Sequence, residues 1–362
     1  MPNFFLNGRF LAAKPTGVQR VAEELIVALS QKVENDPSLA KLLEGEILHP
    51  GNTSRSLKNP IFKERKVGRL TGQIWEQVDL PQAAGKTLLL NFCNVSPVLA
   101  KNSVTMIHDA QVFLTPESYS RAFRTVYQTL LPAIGKRARR ILTVSDYSKQ
   151  QLETFKITSA DKISVVHNGV DHVERVSADT EILAKMMVAP NSYCVGLANT
   201  QAHKNLKVVT EAFQRPEMSE QKLVLFGGAS GEDFRAAGMI VPDNVIFAGF
   251  INDQQMRTLL EHARAIVFPS LTEGFGLPPL EAMYLGTPAI CAPCGALPEV
   301  CGDAAIYADP HDAEGWARAI LTLARDTPDS RSSRSAHARQ HAGQFTWDAA
   351  ASKLIEEIRA LI

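Results

Sequence analysis

The 362-residue sequence has few of the features that mark membrane-spanning or disulfide-rich proteins. It has no apolar run near the ~18 residues of a membrane-spanning helix. Its start, MPNFFLNGRF, lacks the basic and long apolar segments of a signal peptide. Its five cysteines are an odd number, so we do not expect a disulfide framework. These absences favour a cytoplasmic protein, and the length predicts two domains of roughly 100–200 residues each.

Two kinds of metal or redox site also lack support. Cys291 and Cys294 have the C-x-x-C spacing, but a structural zinc site usually needs about four ligands and no second pair is present. Because the pair follows an apolar run and does not open a helix, we expect two buried or half-buried thiols. No Asp-x-Asp motif is present, and the adjacent His108 and Asp109 would point to opposite sides of an extended chain. We therefore expect no metal and no cofactor.

The net charge is zero, but the two halves have opposite charge. Residues 1–170 hold 22 Lys and Arg against 14 Asp and Glu, whereas residues 171–362 hold 16 against 24. Few aromatic residues are interleaved with the basic clusters, which argues against binding of nucleic acid by base stacking. The basic clusters can either contact an anionic membrane surface or form a solvated face, and both interpretations stay open. The clusters are Lys58, Lys63, Arg65, Lys66 and Arg69; Arg121 and Arg124; and Lys136, Arg137, Arg139 and Arg140.

Apolar segments of strand length alternate with helical patterns, which is typical of parallel α/β architecture. A helix is predicted at residues 17–29, whose apolar side chains share one face. Buried strands are predicted at 87–92, 104–107, 141–144, 163–166, 193–197, 222–226, 245–247, 265–268, 289–291 and 304–307.

These segments form two series that join near residue 170. They predict two Rossmann-like doubly wound domains that face each other across a cleft, with ligands at the carboxyl ends of the strands. The expected bounds are 1–170 for a first, acceptor-binding domain and 171–345 for a second, nucleotide-sugar-binding domain. Residues 346–362 are expected to form an amphipathic helix that can cross back to the first domain.

The strongest signal for chemistry is the segment 270–283, SLTEGFGLPPLEAM, which follows a predicted strand. Gly274 and Gly276 allow the backbone to approach a ligand closely. The helix expected to begin near Leu277 offers N–H groups and the positive end of its dipole to a phosphate. The segment therefore predicts an anion-binding loop.

Two glutamates flank this loop. Glu273 precedes it and can accept hydrogen bonds from sugar hydroxyls, whereas Glu281 lies about one turn inside the helix and can reach a ribose diol. The seven residues between them, the Gly-x-Gly-x-Pro core and the following Gly-Thr-Pro at 286–288 resemble the family-four retaining glycosyltransferases of the GT-B fold. The form EGFGLPPLEAM is similar to that of bacterial mannosyltransferases of O-antigen and exopolysaccharide assembly.

Other segments match the family in the same order, so the resemblance covers most of the chain. Gly17, in Thr-Gly-Val-Gln-Arg, is similar to the loop that faces the diphosphate. His108 follows a predicted strand, as the active-site histidine of the family does, and Lys204 resembles the lysine that pairs with the diphosphate. The resemblance assigns sugar-nucleotide binding to Gly17, Asn199, Lys204, Gly227, Phe250, Ile251, Gly274, Phe275, Gly276, Leu277 and Glu281.

The same resemblance assigns catalysis to His108, Lys204 and Glu273. The diphosphate leaves as an anion, so fixed donors that stabilise its charge raise the rate. We expect Lys204 and the backbone N–H groups of 275–277 to supply them, with no protein nucleophile and with retention of the anomeric configuration. One departure is visible: the arginine often found five or six residues before the lysine is replaced by Ala198 and Asn199.

The predicted function is therefore transfer of a hexose, with mannose favoured, from a nucleotide sugar to a glycan or lipid-linked acceptor of the cell envelope. GDP-mannose leads by resemblance, and other GDP- or UDP-linked sugars stay open. A glycoside hydrolase also uses paired carboxylates, but it has no use for a phosphate-binding helix start. A nonenzymatic nucleotide-sugar-binding protein is the other alternative. Docking on the inner face of the membrane through the basic first domain is a further expectation.

Overall fold

The computed structural model describes residues 2–13, 15–57, 59 and 61–362. The chain divides into two compact units. The first unit contains Met1–Gly169 together with Phe345–Ile362, and the second contains Val170–Gln344. In the described part of the chain, no helix has the length and apolar character needed to cross a membrane.

The first unit is built on a seven-stranded parallel sheet of order β3-β2-β1-β4-β5-β6-β7. The described strands are β1 (Phe4–Asn7), β2 (Gly45–His49), β3 (Lys63–Lys66), β4 (Leu88–Asn91), β5 (Ser103–Met106), β6 (Arg140–Thr143) and β7 (Ile163–Val165). The helices are α1 (Gly17–Asn35), α2 (Gly72–Gln77), α3 (Asp79–Ala84), α4 (Gln111–Leu114), α5 (Arg121–Arg137), α6 (Asp146–Thr154) and, at the end of the chain, α15 (Trp347–Arg359).

Helix α1 and the last helix, α15, pack against each other in this unit. Helix α1 begins with a capping box in which Thr16 and Gln19 exchange hydrogen bonds, and its core face repeats every three or four residues. At its other end, Lys32 pairs with Asp348 of α15 at 2.7 Å. Gly169 has no space for a side chain, because a Cβ there would lie 2.2 Å from the backbone nitrogen of Trp347. The return of the chain to the first unit therefore depends on close packing at residue 169.

The second unit has a six-stranded parallel sheet of order β10-β9-β8-β11-β12-β13. The described strands are β8 (Tyr193–Leu197), β9 (Lys222–Phe226), β10 (Val245–Gly249), β11 (Ala265–Phe268), β12 (Ala289–Cys291) and β13 (Ile306–Tyr307). The helices are α7 (Glu181–Lys185), α8 (Leu206–Phe213), α9 (Gly231–Ala236), α10 (Asp253–Glu261), α11 (Leu277–Tyr284), α12 (Leu297–Cys301), α13 (Ala313–Ala324) and α14 (Pro328–Ala342).

In each sheet the first strand of the unit lies in the middle, and the strands spread outward from it in both directions. This order is that of a doubly wound sheet, so the predicted fold class of two parallel α/β units is confirmed. One strand start was wrong: residues 302–304 form a short 3-10 turn and the strand begins at Ile306, two residues later than expected. Strands β1, β2 and β3 were not predicted.

Candidate active site

Four neighbouring strands of the second sheet carry most of the predicted site residues at their carboxyl ends. Asn199 and Lys204 follow β8, Gly227 follows β9, Phe250 follows β10 and Glu273 follows β11. Because parallel strands end at the same edge of a sheet, these residues lie along one edge. The sheet order therefore brings together side chains that are up to 74 residues apart in the sequence.

Lys204 and Glu273 form an ion pair at this edge. The Lys204 Nζ donates to Glu273 Oε1 at 2.7 Å, and the two side chains are 21% and 11% exposed. The loop of Lys204 is fixed by Asn205, a left-handed residue whose amide donates to the carbonyls of Pro269 and Pro310. Two residues predicted to be catalytic are therefore neighbours, and both keep some contact with solvent.

The start of α11 has the geometry expected of an anion site. Gly276 has φ +103°, which favours glycine, and a Cβ there would lie 2.7 Å from the Leu297 side chain. Helix α11 begins at Leu277 with proline in its first turn, where no intrahelical N–H is lost. The backbone of Glu273 rests on Gly295, whose added Cβ would lie 2.5 Å from the Glu273 nitrogen. Glycines therefore shape the loop from both sides.

Glu281 lies on the second turn of α11 and is nearly buried, with 4% of its surface exposed. Its Oε1 lies 3.2 Å from the Nε2 of His172, which is also buried. His172 was not identified from the sequence. It follows the unit boundary directly, and nothing in its local pattern indicates contact with a residue 109 positions later.

The remaining predicted residues of the second unit differ in exposure. Asn199 is folded onto its own loop, because its side chain exchanges hydrogen bonds with Gln201. Gly227 has φ +137°, and a Cβ would lie 2.9 Å from the carbonyl oxygen of Ala198. Phe250 is 88% exposed and its ring lies beside Gly228, whereas Ile251 is half-buried. An aromatic ring this exposed is available to a flat ligand.

His108 lies at the carboxyl edge of the first sheet and is 6% exposed. Its backbone is held by Asn94 and Ser148, at 2.8 Å and 2.9 Å. Its Nε2 lies 2.8 Å from the carbonyl oxygen of Phe92, which can only accept, so Nε2 carries the hydrogen. Burial lowers the pKa of His108 to about 4. The imidazole is therefore neutral near pH 7, and its Nδ1 is a hydrogen-bond acceptor.

Gly17 is exposed and is the first residue of α1, directly after the N-cap Thr16. It belongs to the first unit, as His108 does. Gly17 lies at the start of α1 and His108 follows β5, and at both positions a residue can contact a ligand bound to this unit. Their roles stay predictions.

A buried polar cluster of the first unit was not predicted from the sequence. Glu76 is fully buried and its Oε1 lies 3.0 Å from Arg9 Nε and 2.7 Å from the amide nitrogen of Asn7. Asn7 also donates to Asn91 at 3.0 Å. Burial raises the pKa of Glu76, and the Arg9 charge opposes that effect. The only local signal was Asn-Gly-Arg directly after the apolar start of the chain, since Glu76 and Asn91 are distant in sequence.

The cysteines and part of the basic clusters have structural roles within the two units. Among the described residues, all five cysteines are free and no cluster suited to a metal ion is present; Cys291 is buried and Cys294 half-buried. Arg140 pairs with Glu357 at 3.0 Å, and Arg139 donates to the carbonyl of Leu361. Lys58, part of another cluster, lies outside the described residues.

Comparison with known proteins agrees with this geometry. Residues 192–341 match the model of "Glycosyl transferases group 1", and residues 50–174 match "Glycosyltransferase Family 4". The chain is 30% identical to O-antigen chain mannosyltransferase B of Escherichia coli over 276 residues, which cover 73% of this chain and 72% of that protein. It is 24% identical to O-antigen chain mannosyltransferase RfbU of Salmonella typhimurium, over 88% of this chain and 90% of that one.

A solved structure extends the comparison to the whole fold. Anabaena HepE in complex with UDP superposes with a TM-score of 0.71 at 18% identity, covering 99% of this chain and 100% of that chain. The chain thus belongs to glycosyltransferase family 4, has the GT-B fold and is a hexosyltransferase.

Proposed function

We propose that this enzyme transfers mannose from GDP-mannose to a glycan or lipid-linked acceptor in the synthesis of an envelope polysaccharide, with retention of the anomeric configuration. The observation that carries the proposal is the pairing of Lys204 with Glu273 beside the start of α11. A cation, a helix start and a carboxylate are complementary to a diphosphate that bears a sugar. The two O-antigen mannosyltransferases named above support the choice of mannose.

Each group of the second unit has a distinct task in this proposal. Lys204 turns from Glu273 to the diphosphate and stabilises the charge that develops as the sugar leaves. The N–H groups at the start of α11 contribute fixed donors in the same place. Glu273 accepts hydrogen bonds from the sugar hydroxyls. Glu281 accepts one from the ribose, and the exposed ring of Phe250 stacks on the base.

His108 acts as a hydrogen-bond acceptor and not as an acid. Since burial lowers its pKa to about 4 and Nε2–H is bound to Phe92, only Nδ1 is left to meet a ligand. A hydroxyl of the donor sugar can donate to Nδ1. The acceptor hydroxyl attacks from the face of the leaving diphosphate, which takes the proton.

The carboxyl edge of the first sheet is the proposed place of the acceptor. The side chain of Arg9 is a quarter exposed, and buried Glu76 contacts both Arg9 and Asn7. A paired arginine and glutamate have no net charge, which suits neutral sugar hydroxyls better than a second phosphate. The basic side chains of α5 would then hold the enzyme at the anionic inner face of a membrane.

A transfer assay tests the proposal. Purified enzyme is incubated with radiolabelled GDP-mannose or UDP-glucose and with a glycolipid extract of the producing cells, and labelled product is separated from free sugar. We expect transfer from GDP-mannose and an axial, α-linked product by NMR. Inverted product, or equal release of sugar from aryl mannosides without nucleotide, would contradict the proposal.

A further inference from the structure

The first turn of the second unit, Asp171–Arg175, packs directly on α11. Two side-chain contacts fix this packing. His172 Nε2 lies 3.2 Å from Glu281 Oε1, and Glu174 hydrogen-bonds with the hydroxyl of Tyr284, one turn later on the same helix. The carboxylate expected to hold the ribose is therefore in contact with the segment that opens the unit.

The burial of Glu281 requires such a partner. Its side chain is 5% exposed and that of His172 is 2% exposed. A carboxylate taken from water without a donor is costly, and a partner that donates a hydrogen bond offsets the cost. In the described part of the chain, no lysine or arginine pairs with Glu281, and the basic side chain in contact with it is that of His172.

We propose that His172 is a positioning residue for ribose recognition. Its Nε2 lies 3.2 Å from Oε1 of Glu281, and this contact holds the carboxylate in place so that Oε2 can reach the ribose hydroxyl. The inference rests on the proposed contact between Glu281 and the ribose. It adds a second residue to that contact, one that does not touch the nucleotide itself.

A purely structural role for His172 would have a different signature. Loss of packing alone lowers the melting temperature and reduces the affinity for all nucleotides by the same factor. Loss of positioning weakens ligands that possess the ribose hydroxyl more than ligands that lack it, because a site built to bind a hydroxyl discriminates by that bond. The ratio of the two affinities is therefore the decisive quantity.

The experiment measures the Kd of GDP, 2′-deoxy-GDP and 3′-deoxy-GDP by calorimetry, with the UDP series instead if UDP binds more tightly. The wild type is expected to prefer the ribonucleotide over one deoxy analogue by about 10-fold or more. In His172→Ala the preference should fall to within about threefold. In His172→Gln, whose amide can still donate, part of it should return. His311→Ala removes an exposed histidine of the same unit and is the matched control.

Glu281→Ala separates the two possible failures. If it keeps the wild-type preference, the proposed ribose contact of Glu281 is wrong, and the proposed role of this site falls with it. If Glu281→Ala loses the preference while both folded His172 variants keep it, the ribose contact stands and the inference about His172 is overturned. Should His172→Ala fail to fold, His172→Phe, whose ring is similar in size but cannot donate, decides in its place: a preference below that of the wild type supports positioning, and an unchanged preference refutes it.

Discussion

At the scale of single residues, Lys204 is the side chain whose loss should affect chemistry most. Its charge helps most as the diphosphate gains charge, so Lys204→Ala should lower kcat/KM for transfer by ~10²-fold or more. We expect a large effect because Ala198 and Asn199 stand where the family often has an arginine. The assay compares Lys204→Ala with Lys207→Ala, an exposed lysine that pairs with Glu211. A loss below about threefold would mean that backbone N–H groups suffice.

His108 makes a prediction about pH. Its folded pKa of about 4 lies below the ordinary 6.5, so the unfolded chain binds this proton more tightly. Its contribution to the free energy of unfolding is complete above pH ~6.5 and is lost as the pH falls towards 4. The loss amounts to about 2 kcal/mol at pH 5. Urea unfolding at pH 7.5 and pH 5 should show this extra loss in the wild type and not in His108→Gln. Equal losses in both proteins would show that His108 is not held neutral.

The local sequence pattern predicted candidate residues on the loops of the second unit, but it did not predict pairs that only folding brings together. The Glu-x7-Glu segment predicted Glu273 and Glu281, and the contact between Lys204 and Glu273 agrees with a shared site. The pairs Arg9–Glu76 and His172–Glu281 connect residues 67 and 109 positions apart. Such pairs depend on sheet order and burial, which no short motif encodes.

At the scale of elements, the loop that carries Glu273 rests on the connection between β12 and α12, which contains Gly295. Gly295 has φ +62° and lies against the backbone of Glu273, whereas Gly238 has φ +76° and no atom within 4 Å of a Cβ position. Alanine at Gly238 should cost roughly 1–2 kcal/mol of stability, and alanine at Gly295 should cost more, because its Cβ would lie 2.5 Å from the Glu273 nitrogen. Only Gly295→Ala should also displace Glu273, lowering transfer by about 10-fold or more. Equal activity of the two folded variants would contradict the role of this loop.

The elements predicted from sequence are those with long apolar runs. All six strands of the second sheet were predicted, since each is an apolar segment between turns. Strand β3 was missed because it consists of Lys-Glu-Arg-Lys at an exposed sheet edge, and its backbone pairing with β2 determines its conformation. Strand β1 is four residues long and fully buried, too short for a period to be read.

At the scale of the whole molecule, the basic first unit predicts salt-sensitive binding to anionic vesicles. Arg139 and Arg140 bond to residues of the C-terminal segment, which leaves Lys136 and Arg137 at the exposed end of α5 as the main contacts. Strand β3, which bears the other basic cluster, lies five strand spacings from β6, or roughly 24 Å. The cluster on β3 is therefore a second contact, separate from Lys136 and Arg137.

Cosedimentation with vesicles tests this prediction. Lys136→Glu with Arg137→Glu should lower binding about 10-fold or more, since each basic residue near the surface contributes ~1 kcal/mol. Lys185→Glu with Lys207→Glu, on the second unit, is the matched control. Binding that ignores lipid charge, or persists in ~0.5 M salt, would refute the electrostatic mechanism.

Calorimetric titration of GDP-mannose measures directly whether the carboxyl edge of the second sheet binds a sugar nucleotide. We expect binding of one nucleotide sugar per chain. Affinity should fall by about 1–3 kcal/mol in Glu281→Ala, which loses a charged hydrogen-bond acceptor for the ribose. It should stay unchanged in Glu232→Ala, an exposed glutamate on α9. Wild-type affinity in Glu281→Ala, or no binding by the wild-type protein, would show that this edge is not the nucleotide-sugar site.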